Sequence, residues 1–374
     1  MRLTYLLILL CLPMWVLGQW SAAEKQIDAL FKDQSENTPG YVVGVFKNGE
    51  YLFKKGYGSA NLEYQIPIDE HSAFNIASLS KQFTAAAIAL LILDEKVDLE
   101  DPVSTYLEDF PFSEIKMQVK HLVYMTSGIN DYYYNERTCG DWSTLQFFNI
   151  DTAIQASYGS GELMYAPGTQ WSYSNINYML LTKIVEKVSG QSFASFVQER
   201  LFKPLGMDHS LVNDDVFTVI PGRVNGYNER TEENTDWMLE YGYLNELGEG
   251  YLQLPRNSPH YGGSGIYTTL DDLGKWLANF ANKELGGSAF YDQMHQTMRF
   301  EHDKTNDAFG LFFGDFNGRT MVAYEGGDWG FSSFMMRFPD SELSIVVLSN
   351  IGTGRAASKA YQIMDILVDL DLAK

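Results

Sequence analysis

A serine and a lysine three residues apart stand at the start of an alanine-rich apolar stretch. Ser78-Leu79-Ser80-Lys81 opens this segment, which runs on to Leu93. One helical turn separates Ser78 from Lys81, so both side chains share a face. A serine hydroxyl attacks well only when a neighbouring base takes its proton. A lysine can be that base once burial lowers its pKa towards neutrality. Phe74, Ile76, Phe83 and Ile88 supply apolar surroundings for this. A helix N-terminus adds backbone N–H groups and a positive dipole end, both favouring an anionic transition state. The spacing alone proves little, because Ser113-Glu114-Ile115-Lys116 repeats it in a polar segment expected to be exposed.

Two further pieces carry compatible chemistry. Tyr173-Ser174-Asn175 follows the turn Pro167-Gly168 and precedes an amphipathic stretch from Tyr178, which places it on a connecting loop. A tyrosine near a lysine relays protons, accepting from the serine and donating to a leaving group. Asn175 is expected to hold a substrate carbonyl through its amide. Tyr133-Tyr134-Asn135 and Tyr243-Leu244-Asn245 share the pattern in a chain of 23 tyrosines, so most such residues are expected to be packing. The third piece is Tyr324-Glu325-Gly326-Gly327, leading into Asp328-Trp329-Gly330-Phe331-Ser332-Ser333. Glycines after a strand let the backbone approach a ligand, although a plain glycine-rich turn looks the same. The N–H groups of Gly327 and Ser78 are the candidate oxyanion hole.

The elements that must position these residues come from both ends of the chain. Tyr41–Phe46 and Tyr51–Phe53 flank Asn48-Gly49, the dipeptide of a type I′ hairpin. Thr320–Glu325, Ser332–Phe338 and Leu343–Ser349 read as strands, with Pro339-Asp340 turning the last pair, and a final helix is expected over Ala357–Leu372. Between them the pattern is helical: Lys81–Leu93, Tyr178–Val188 stopping at Gly190, Phe193–Phe202 before Pro204, and Leu273–Phe280 after Thr269 and Asp272. One sheet built from both termini, with a helical insertion over roughly 95–260, is the expected organisation. The acidic, turn-rich stretch Asn213–Pro259 is expected to roof or line the site.

The 374 residues are 45% hydrophobic, enough for a large core, and carry a formal net charge of −21. Such acidity repels phosphate backbones and anionic membranes, so nucleic acid is excluded as the expected partner. Arg2 precedes an apolar run from Leu6 to Leu17, with Val16 and Gly18 before Gln19. Residues 1–18 therefore read as a secretory signal peptide, too short for a stable membrane span, and the protein as periplasmic or secreted. Lipidation at Cys11 is the lesser reading, because Leu10 is bulky. Cleavage would leave Cys139 as the sole thiol and no intramolecular disulfide. None of the six histidines (71, 121, 209, 260, 295 and 302) pairs at metal-binding helical spacing, and no Gly-x-Ser-x-Gly, phosphate-loop or dinucleotide fingerprint occurs, so neither metal nor cofactor is expected. His260 is expected as an exposed loop histidine, and Tyr132-Tyr133-Tyr134 either lines a groove or packs on the surface.

Taken together, the three pieces resemble the serine β-lactamase-like family of class C β-lactamases, D,D-peptidases and related esterases. The resemblance runs from about Gln26 to the C-terminal helix. Phe74–Thr84 looks like the family's first motif in its surroundings, and Gly168–Asn175 matches the second. His121–Ile129, Leu201–Met207, Gly262–Thr269 and Gly330–Ser333 are similar to further family segments. The match implies an α/β (α+β) fold with an antiparallel sheet flanked by helices, an inserted all-α domain, and a site between them. It also implies an acyl-enzyme on Ser78, with Lys81 and Tyr173 sharing base and acid duties, Asn175, Tyr324, Gly326 and Gly327 meeting a small-molecule or peptide acyl substrate, and no cofactor. One departure matters: Tyr324 stands where the family usually has a lysine or histidine. A phenol offers no charge to a substrate carboxylate, which weakens its recognition by ~1–2 kcal/mol. The expected activity is therefore that of an esterase, amidase or peptidase. A D,D-carboxypeptidase or weak β-lactamase is the alternative, and a slowly turning penicillin-binding sensor the second.

Overall fold

Asn48 and Gly49 take φ of 52° and 79°, the left-handed backbone a two-residue I′ turn demands at both positions. The hairpin forms as β1 (Tyr41–Lys47) against β2 (Glu50–Tyr57). The computed structural model describes residues 14–132, 148–159, 161–240, 242, 244–255, 260–298 and 306–373. Cys11, Tyr133, Tyr134, Asn135, Cys139, Tyr243 and His302 lie outside them.

Four strands from the far end of the chain complete the sheet: β3 (Phe312–Phe316), β4 (Arg319–Asp328), β5 (Phe331–Phe338) and β6 (Leu343–Ser349). The six-stranded order is β3-β4-β5-β6-β1-β2, antiparallel throughout. The first hairpin thus joins the last strand, Tyr41 opposite Ser349 and Lys47 opposite Leu343. Side chains alternate between the sheet's two faces. Val42, Phe46, Val346 and Leu348 enter one core, and Val43, Val45, Ile345 and Val347 the other.

The first core is covered by α2 (Lys81–Leu93), α3 (Asn175–Ser189) and α4 (Leu270–Asn282), the second by α1 (Met14–Leu30) and α5 (Ala356–Asp369). Helix α2 is buried along almost its whole length, and its alanines let α3 pack closely against it. Helix α3 begins three residues before the expected Tyr178, and it ends as expected where Gly190, at φ 70°, donates its N–H to Glu186 O. Helix α4 also begins three residues early, directly after Thr269, whose hydroxyl accepts from Asp272 N at 3.2 Å. Helix α1 runs continuously across Gly18 and Gln19; its buried residues Ala23 and Ile27 come after that point. Among the described residues no helix is long and apolar enough to cross a membrane.

Two expectations are corrected. Strand β4 does not stop at Glu325. Gly326 and Gly327 continue the ladder opposite Ser333 and Ser332, and the turn falls at Trp329-Gly330. The stretch after Asn213 forms the hairpin Tyr227–Glu229 with Tyr251–Gln253 and the helix Glu232–Glu240. It docks where Tyr227 N donates to Asn350 O at 3.0 Å, and none of its described residues lines the cavity at Ser78.

Candidate active site

The backbone immediately before Ser78 is bent into a sparsely populated conformation. Ala77 sits at φ 49° and donates its N–H to Asn75 Oδ1 at 3.0 Å. A non-glycine residue there costs ~1–3 kcal/mol, which the surrounding contacts must offset. Asn75 Nδ2 donates to Asp328 Oδ2 at 2.9 Å, and Ser333 Oγ donates to Ile76 O at 2.7 Å. Residues Phe74–Asn75 also pair with Ile266–Thr268. Ser78 itself lies in a 3₁₀ turn, Ala77–Ser80, that leads into α2. In 3₁₀ geometry residues i and i+3 eclipse, which sets Lys81 directly behind Ser78.

Lys81 is fully buried. Its Nζ lies 3.0 Å from Ser78 Oγ, 2.9 Å from Asn175 Oδ1 and 2.5 Å from Gly263 O. Burial brings its pKa down to about 7, although the charges of Asp131 and Asp328 pull the other way. In the neutral amine, two N–H groups go to Asn175 and Gly263, because carbonyl oxygens only accept. The lone pair is then left facing Ser78, whose hydroxyl donates to it. Tyr173 closes the group, its OH 2.7 Å from Ser78 Oγ and 3.4 Å from Asn175 Oδ1. Burial raises the phenol's pKa above its ordinary value, and nearby Asp131, Glu325 and Asp328 add to this against the hydrogen bond with Ser78. At neutral pH it is a proton donor.

Asn175 is not the loop residue the sequence suggests. It is the first residue of α3, and its amide faces inward: Oδ1 accepts from Lys81, and Nδ2 donates to Asp131 Oδ2 at 3.0 Å. The same carboxylate oxygen accepts Asn175 N at 2.5 Å. Asp131 thus caps the helix where Ser174 makes no side-chain cap. The side chain expected to hold substrate holds the lysine as well.

Strand β3 pairs only with Arg319–Ala323, so the rest of that edge of β4 faces the nucleophile turn. A Cβ on Gly326 would lie 2.5 Å from Ile76 O and 2.9 Å from Ser78 N, so only glycine fits. At Gly327 a Cβ would meet nothing within 4 Å, because that position opens into the cleft. Tyr324 is half-buried on the same strand, and burial raises its phenol well above the ordinary value. Ser78, Tyr173, Tyr324 and Gly327 all line one cavity of about 560 Å³, together with Trp171 and Asp307.

The structure therefore gathers Ser78, Lys81, Tyr173, Asn175, Tyr324, Gly326 and Gly327, and leaves the decoy Ser113 and Lys116 exposed. His260, expected to be exposed, is 6% exposed, because its ring stacks on Phe148 at 5.1 Å. Tyr132 is buried beside Phe148, and Tyr133 and Tyr134 lie outside the described residues. Sequence reasoning missed Asp131, Asn75, Asp307 and the Gly263 carbonyl. The glycine-rich Gly262–Gly265 segment was the one local sign of the last. Among the described residues no group of three or more His, Cys, Asp or Glu side chains is placed to hold a metal ion.

Comparison with known proteins bears on the family and the fold. The chain is 26% identical over 314 residues to a D-aminopeptidase of Gluconobacter oxydans, covering 83% of this chain and 56% of that one. It is 26% identical over 343 residues to penicillin-binding protein 4* of Bacillus subtilis, covering 87% and 71%. The chain spans little more than half the length of the first of these relatives. In fold it is similar to the D-amino acid amidase of Ochrobactrum anthropi, with a TM-score of 0.77 at 18% identity over 93% of this chain and 99% of that one. The model of the family described as Beta-lactamase matches residues 27–368. With the β-lactamase-like fold and almost the whole chain inside that match, the protein belongs to the Beta-lactamase family.

Proposed function

We propose that this chain is an exported hydrolase that cleaves amides or esters through an acyl-enzyme on Ser78. One observation carries the reading: Lys81 Nζ is buried with two acceptor-only partners, so its remaining position addresses the Ser78 hydroxyl. Ser78 Oγ gives its proton to Lys81 Nζ and attacks the substrate carbonyl carbon. The N–H groups of Ser78 and Gly327 take the oxyanion. Tyr173 gives its proton to the departing nitrogen or oxygen. The resulting phenolate is balanced by the Lys81 ammonium, 4.8 Å from its ring centre. Water then attacks the acyl carbon and yields a proton to Tyr173, and Ser78 Oγ recovers its own from Lys81. Tyr324 supplies no cation for a substrate carboxylate, so the peptidase or amidase names of the relatives fit better than penicillin hydrolysis. Export rests on Arg2 and the apolar run Leu6–Leu17; every described α1 residue buried in the core comes after Gln19.

Purified protein is expected to hydrolyse p-nitrophenyl acetate and to gain one fluorophosphonate adduct by intact mass, at Ser78. Ser78→Ala should abolish both. Unchanged turnover in that variant rejects the nucleophile.

A further inference from the structure

The charged residues described in the wall of the cavity at Ser78 are of one sign. Among its described lining residues are two carboxylates, Asp307 and Glu325, and no lysine, arginine or histidine. Lys81 does not reach it, being buried behind Ser78 with its N–H groups turned to Asn175 and Gly263. The other walls are largely aromatic, with the rings of Trp171, Phe312 and Tyr324. Ring faces attract cations.

The two carboxylates differ in setting. Glu325 is exposed on β4, where water screens it. Asp307 is half-buried on a short loop that is pinned to the catalytic helix. Asp307 bridges to Phe312, Ala308 N donates to Leu311 O at 2.8 Å, and Gly310 turns at φ 64°. Gly310 lies so close to α2 that a Cβ there would be 2.7 Å from Gln82 N and 2.8 Å from Lys81 O. The backbone that carries Asp307 is therefore held against α2. Burial pushes its carboxyl up to about 6, against the hydrogen bond from Trp171.

We propose that Asp307 is a specificity-determining residue whose carboxylate takes a cationic group of the substrate, a primary ammonium, against the aromatic walls of the Ser78 cavity. This rests on the hydrolase reading for its substrate but not for the cation site. A carboxylate-bearing ligand meets like charge there, and the un-ionised Tyr324 phenol does not offset it. Two anions and no described cation line the cavity with Tyr324.

Benzylamine and benzoate, matched in ring and opposite in charge, are the probes. Their binding is measured by calorimetry, together with their power to slow fluorophosphonate labelling of Ser78, in wild type and Asp307→Asn. Benzylamine is expected to bind and protect at concentrations about tenfold or more below benzoate. The wild-type preference should shrink as pH falls through about 6, and Asp307→Asn should remove it. Benzoate binding as well as benzylamine in wild type overturns the proposal, as does a preference that survives in Asp307→Asn. If Ser78 takes no label while benzylamine still binds through Asp307, the hydrolase reading falls and the cation site stands.

Discussion

Around Ser78, four segments meet in short hydrogen bonds: Lys81 reaches Asn175 and Gly263, Asp131 fixes Asn175, and Tyr173 touches the nucleophile. At the Tyr324 and Asp307 end of the same cavity, side chains are set by packing and one short loop, and Gly327 faces open space. The first region over-determines its geometry, as proton transfer over 2.5–3.0 Å requires. The second presents a phenol and two carboxylates to the cavity. Chemistry and recognition are thus separable in this molecule, and substitutions can be directed at one without the other.

The largest effect is expected in the first region. Lys81→Met should lower kcat for p-nitrophenyl acetate by about a thousandfold, because Tyr173, the other group at Ser78 Oγ, is a phenol that burial keeps protonated. Asp131→Ala comes next. It leaves Asn175 N and Nδ2 without their carboxylate, a penalty of ~1–3 kcal/mol that should appear as a ~10–100-fold loss in kcat with KM little changed. Because the Asp131 charge raises the Lys81 pKa, the midpoint of the pH–rate curve should also move below about 7. An upward move contradicts the assignment. The smallest effect belongs to the second region. Tyr324→Lys should speed reaction with carboxylate-bearing substrates by ~5–30-fold, from ~1–2 kcal/mol of charge-assisted bonding. It should leave p-nitrophenyl acetate turnover within about twofold. Loss of both together would show that the two regions are not separable.

What was legible in the sequence was local. The Asn48-Gly49 hairpin, the extent of α2, and the Gly190 stop of α3 all depend on residues within a turn or two of each other. Ser78 and Lys81 were readable for the same reason. The start of α3 was not, because its cap is a carboxylate 44 positions away rather than Ser174. The lysine's other partners lie 94 and 182 positions from it, and the glycines at 262–265 mark a close approach of the backbone without saying that the Gly263 carbonyl accepts a buried amine. Strand β4 ran through its glycines because Ser332 and Ser333 continue the ladder opposite them. His260 read as a loop histidine, and only the ring of Phe148 makes it a buried one. Asp307 lay in a polar stretch with no pattern of its own. The bend at Gly310 and its contact with α2 bring it to the cavity.

The central claim is that Lys81 works as a neutral amine beside Ser78. Its most direct test is the rate of fluorophosphonate labelling of Ser78 from pH 5 to pH 10. The rate should rise with pH through a single midpoint of about 7, and that limb should vanish in Lys81→Arg. A profile that is flat, or that rises only near the ordinary lysine pKa of about 10.4, would contradict it.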